Sequence, residues 1–109
     1  MTVFVDLPAI RPARLSAALA ATDLIEHVRE FRTLLRGARV EALPAGVRLV
    51  LQLDLRALAR IADEVRATAD TLPFWSFRVL ADPPECWLEV TGDGRAADLA
   101  RAVFAELAA

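Results

Sequence analysis

The chain has 109 residues, with 13 basic side chains that are all Arg, 15 acidic ones, and a formal net charge of -2. That length suits one domain, residues 1–109, and leaves too little chain for two independent cores. The near-neutral balance argues against a dedicated nucleic-acid binder, which needs a basic footprint.

One cysteine, Cys86, excludes an internal disulfide and cysteine-cluster metal sites. The N-terminus has no basic region ahead of its apolar stretch, so it does not read as a signal peptide. No apolar run approaches the length of a membrane span. A cytoplasmic location is the default expectation.

In chain order, residues 3–7 predict a short strand. Pro8 and Pro12 punctuate the segment after it. Residues 13–36 predict one long helix with a possible break at Asp23. Its stripe runs through Leu15, Ala18, Leu19, Thr22, Ile25, Val28, Phe31 and Leu35 at three- and four-residue steps. Gly37 is a stop signal.

Strands at 39–43 and 47–53 flank Pro44-Ala45-Gly46, a tight-turn sequence in which Gly suits the left-handed position. Asp54 is placed to cap a helix over 55–70, with Leu55, Leu58, Ile61, Ala62 and Val65 as its apolar stripe. Two more strands are expected at 74–80 and 86–90, separated by a turn at 81–85. Thr91-Gly-Asp-Gly94 leads into a last helix at 95–108.

The order β-α-β-β-α-β-β-α predicts an α+β domain. Its first six elements have a ferredoxin-like split β-α-β order, extended by a C-terminal strand and helix. An antiparallel sheet carrying its helices on one face is expected. The added strand is expected to pair with 74–80. A second reading takes 39–70 and 74–108 as two hairpin-helix units, since both helices contain Leu-Ala-Arg, at 58–60 and 99–101.

If helices cover one sheet face, the other should be polar. Here either assignment of the strands leaves large side chains outside. With Trp75, Phe77 and Val79 inward, the outward set is Phe74, Leu80, Trp87 and Val50, beside Ser76, Arg78 and Glu89. The reverse assignment sends Trp75 and Phe77 out. Phe74, Trp75, Trp87, Leu80 and Val50 are therefore the candidate interaction residues.

Catalytic candidates are sparse. His27 is the only histidine and neighbours Asp23, Glu26 and Glu30. It is a weak acid–base candidate and more simply a helix-surface residue. Cys86 has no local group to activate it and suits a buried position. Arg29, Arg32, Arg36 and Arg39 form a basic series that suits a helix C-terminus as well as an acidic partner. The 91–94 segment lacks a phosphate-loop pattern and fits a turn.

No metal or cofactor is expected. The leading expectation is a non-enzymatic protein-interaction or regulatory module that self-associates, as a homodimer, through an apolar sheet face. The alternative is a small dimeric enzyme or binding protein that takes an apolar small molecule in a sheet-helix pocket. RNA binding through sheet aromatics is opposed by the acid-rich second half, where nine acids face four Arg over residues 61–109.

Overall fold

The computed structural model describes residues 4–8, 24–26 and 28–109. The elements are β1 (Phe4–Leu7), α1 (Phe31–Leu35), β2 (Arg39–Leu43), β3 (Gly46–Gln52), α2 (Leu55–Thr71), β4 (Ser76–Asp82), β5 (Glu85–Thr91) and α3 (Arg95–Ala108). The fold is α+β, with the ferredoxin-like β-α-β-β-α-β order extended by a strand and a helix. All neighbouring strands are antiparallel. The sheet order is β1-β4-β5-β3-β2. The extending strand β5 pairs with β4, as expected, and also takes the centre of the sheet.

Strand alternation sorts the faces. Phe77, Val79 and Ala81 of β4, Cys86, Leu88 and Val90 of β5, and Val47 and Leu49 of β3 point inward and are buried. Helix α2 lies over β4 and β1, α3 over β3, β5 and β2, and α1 touches both helices. Phe104 of α3 is the meeting point of the layers. Its ring centroid lies 5.5 Å from Phe31, 5.4 Å from Trp75 and 6.5 Å from Phe77, all edge-on. Such pairs add about 0.5–1.5 kcal/mol each beyond their area burial.

The local signals account for most boundaries. The Asp54 carboxylate accepts hydrogen bonds from the backbone N–H groups of Arg56 (2.9 Å) and Ala57 (3.2 Å), as a helix cap does. Gly37 adopts φ 80°, which favours glycine, and its N–H donates to the Ala108 carbonyl at 2.9 Å. Of the long helix expected over 13–36, residues 13–23 and 27 lie outside the described residues. The remainder is not continuous. Residues 24–26 are helical, 28–30 form a turn, and α1 begins directly after it. The Phe31 and Arg32 N–H groups reach back three residues, to Val28 (2.9 Å) and Arg29 (3.0 Å). Of the expected stripe, Val28, Phe31 and Leu35 are buried, while Ile25 is only half-buried and Leu24 takes the buried position in its place.

Three details of the strands differ from expectation. The turn expected at 81–85 shrinks to Pro83-Pro84, because β4 runs on to Asp82 and β5 starts at Glu85. Strand β4 begins at Ser76 rather than at residue 74, because Pro73 and Phe74 form a turn and Trp75 folds into the core. Gly46 does not hold a left-handed conformation; only Gly37 and Gly94 do among the described residues. Gly46 is needed for close approach instead. A Cβ there would overlap the Val90 carbonyl oxygen and sit 2.8 Å from the Thr91 Cα. Gly46→Ala is expected to destabilise the fold by about 1–3 kcal/mol through overpacking. Denaturant unfolding measures this.

Candidate functional site

The outer face of the sheet is built by cross-strand register. β2, β3, β5 and β4 place Glu41, Arg48, Glu89 and Arg78 side by side in one row. The next row along the strands is Arg39, Val50, Trp87 and Leu80. The backbone of β1 continues both rows, with Asp6 paired to Arg78 and Phe4 to Leu80.

The first row is an ion ladder. Arg48 donates to Glu89 at 2.6 and 2.9 Å and to Glu41 at 3.3 Å. Arg78 approaches the same Glu89 at 3.9 Å. Glu89 is the most enclosed member, its side chain only 12% exposed. It is also the main reason that the Arg48 pKa is raised above its ordinary value, since its hydrogen bond favours the charged guanidinium over the opposing cost of burial. Arg39 pairs with Glu41 at 3.2 Å and Glu85 at 3.4 Å.

Arg48 also lies over the Trp87 ring, 5.2 Å from its centroid. This is cation–π distance. Trp87 is therefore half-buried beneath a guanidinium, and Val50 beside it is buried.

The structure brings three of the five candidate interaction residues together. Val50, Trp87 and Leu80 share the second row. Phe74 and Trp75 do not join them. Trp75 is 1% exposed, and its indole N–H donates to the Ala96 carbonyl at 2.8 Å. It is a core residue because its polar atom finds a partner inside. Phe74 packs half-buried against it, with centroids 5.1 Å apart.

His27 lies outside the described residues. Arg29 is paired locally, with Glu30 at 3.7 Å and Glu26 at 3.9 Å, all exposed. Cys86 is buried, and burial pushes its thiol pKa up, with the nearby Asp54 and Glu85 charges adding to the rise and a backbone hydrogen bond opposing it. Of the 91–94 segment, Thr91 ends β5 and residues 92–94 lead into α3, with Gly94 at φ 50°. Among the described residues, no three His, Cys, Asp or Glu side chains are grouped to hold a metal ion. No helix among them is long and apolar enough to cross a membrane.

Sequence reasoning missed the ladder, although its members on β4 and β5 were already assigned outward; the cross-strand register was the missing signal. It also missed Arg101. This α3 side chain reaches the β2–β3 turn, donating to the carbonyls of Leu43 (2.9 Å), Pro44 (2.8 Å) and Gly46 (3.1 Å), and pairs with Asp98 at 2.8 Å.

A groove opens on the other layer. Leu55, Leu58, Ala59 and Ala62 of α2 and Val79 of β4 line a cavity of about 280 Å³, with Asp63 and Arg66 also in its lining. Comparison with protein families, with curated proteins and with solved structures finds no match.

The geometry sets three expected outcomes. Glu89→Ala strips Arg48 of an enclosed charge-assisted partner and is expected to cost about 1.5–3 kcal/mol in denaturant unfolding. Asp63→Ala removes an exposed pair with Arg66 and is expected to cost no more than about 0.5 kcal/mol. The Cys86 thiol is expected to react slowly with a thiol reagent at neutral pH. Unfolding in denaturant should release it to the rate of a free cysteine.

Proposed function

We propose that this domain is a non-enzymatic protein-interaction module that self-associates through its sheet. The observation that carries this reading is the outer face. Val50, Trp87 and Leu80 cross it in one row, and no described helix packs against that side. Trp and Arg are the residue types that dominate binding energy at protein interfaces, and here they are stacked on each other at the sheet's centre.

Charge favours a protein partner over RNA. Arg39, Arg48 and Arg78 each engage a carboxylate of their own chain. Glu41, Glu85, Glu89 and Asp82 on the same face outnumber them, so little positive potential is left for phosphate. The ladder alternates in sign and is close to neutral, so two copies of the chain do not repel each other.

Light scattering over a dilution series tests the reading. The expected particle has twice the chain mass of 11.9 kDa. A monodisperse monomer at every concentration would sink it.

The groove between α2 and β4 favours a second reading, in which the domain binds a small apolar molecule. Its volume falls just below that of ligand sites, which start at about 300 Å³. Ala59 is exposed at its mouth. Saturable binding of anilinonaphthalene sulfonate, lost in Ala59→Phe, is the expected result under that reading.

A further inference from the structure

The two hairpins repeat one another. Shifting the chain by 39 residues lays Arg39, Val40, Ala42, Pro44, Leu49 and Asp54 on Arg78, Val79, Ala81, Pro83, Leu88 and Asp93 without a gap. The fold keeps the same shift. It superimposes the two-residue turns at 44–45 and 83–84. It also makes Leu49 and Leu88 direct Cα partners, which is where a local two-fold axis must bring equivalent residues together.

Under this symmetry β2 is the counterpart of β4, but their outer edges differ. The edge of β4 is covered by β1, with Val5 paired to Val79, and Val79 is 1% exposed. No strand among the described residues lies beyond β2, and Val40 is 43% exposed.

The backbone of β2 is directed to receive a strand there. Gly92 N–H donates to the Ala45 carbonyl, and Leu53 N–H to the Pro84 carbonyl. Odd-numbered β3 residues therefore bond to β5, and alternation turns the even-numbered ones toward 39, 41 and 43 of β2. The N–H and C=O groups of Val40 and Ala42 consequently face the open side.

The side chains state what fits. An antiparallel strand with an apolar residue opposite Val40, an acid opposite Arg39 and a base opposite Glu41 complements this edge, although Arg39 and Glu41 also pair within the chain. Read from its own N-terminus, that strand is base–apolar–acid, and the chain carries this pattern as Arg39-Val40-Glu41.

We propose that a second copy of this chain supplies the strand. The two β2 edges pair antiparallel about a two-fold axis at Val40, with Arg39 of each copy opposite Glu41 of the other. This rests on the self-association proposed above but moves the contact between copies from the outer face to the β2 edge. It joins two five-stranded sheets into one and leaves both outer faces open on the same side.

Charge reversal tests the pairing. Arg39→Glu alone, or Glu41→Arg alone, opposes like charges twice across the axis. Each variant is expected to bind itself at least about tenfold more weakly than the wild type. An equimolar mixture of the two restores opposite charges at every position and is expected to form a heterodimer. Amide exchange at Val40 in the wild type is expected to slow as concentration rises, which is a readout independent of how the variants fold.

If both variants dimerise as the wild type does, with no preference in the mixture and Val40 exchange independent of concentration, the edge pairing is overturned. Loss of the dimer in Trp87→Glu instead would place the contact on the outer face and leave self-association standing. A wild type that never dimerises overturns both proposals.

Discussion

Everything else in the fold hangs from the antiparallel pairing of β3 with β5. It joins two hairpins along seven residue pairs, from Gly46 with Thr91 to Gln52 with Glu85. That contact requires the β5 backbone to close on residue 46, where there is no room for a side chain. Once the two strands are paired, β2 and β4 are forced to the flanks, because each is bound to its own hairpin by a two-residue turn. Each helix then crosses to the other hairpin, α2 over β4 and α3 mainly over β3, and α1 closes the gap between them through Phe31 and Phe104.

The two tryptophans show how one side-chain type takes opposite places. Indole is largely apolar but carries one N–H that must be satisfied. Trp75 meets that demand with the Ala96 carbonyl inside the helix layer and disappears into the core. Trp87 sits on a strand whose alternate residues Cys86 and Leu88 already face the core, so the pleat turns it out. There Arg48 covers one face of its ring while holding Glu41 and Glu89. The apolar excess on the outer face is thus smaller than composition implies, and what remains of it is concentrated around β5.

Where local chemistry decides, the sequence was readable. The cap and stripe of α2 lie in contiguous residues, and Asp54 and Gly37 act where their types suggest, although Leu55 at the head of that stripe is exposed. The turn at 44–45 was equally plain, though the reason for Gly46 was not, because it depends on a strand about forty residues away. The start of β4 was misjudged for a similar reason: Phe74-Trp75 has strand character, and only the tertiary position of Ala96 draws Trp75 inward. Of the site, Val50, Trp87 and Leu80 were legible from alternation. Their assembly into one row with Arg39, and the ion ladder beside it, came only from register. The Leu-Ala-Arg tripeptides were a poor guide to the repeat, since Ala59 is exposed while Ala100 is buried.

The repeat separates what packing demands from what it leaves free. On the helix-facing side Val40, Ala42 and Leu49 recur as Val79, Ala81 and Leu88, although Val40 and Ala42 stay exposed at the open edge while their counterparts are buried. The outward residues mostly differ. Glu41 corresponds to Leu80, Arg48 to Trp87, Val50 to Glu89 and Gln52 to Thr91. The local two-fold therefore exchanges the charged pair Arg48–Glu89 with the apolar pair Val50–Trp87, giving the outer face one ionic row and one apolar row. Packing of the helix layer does not require that division, because both rows lie on the opposite side of the sheet.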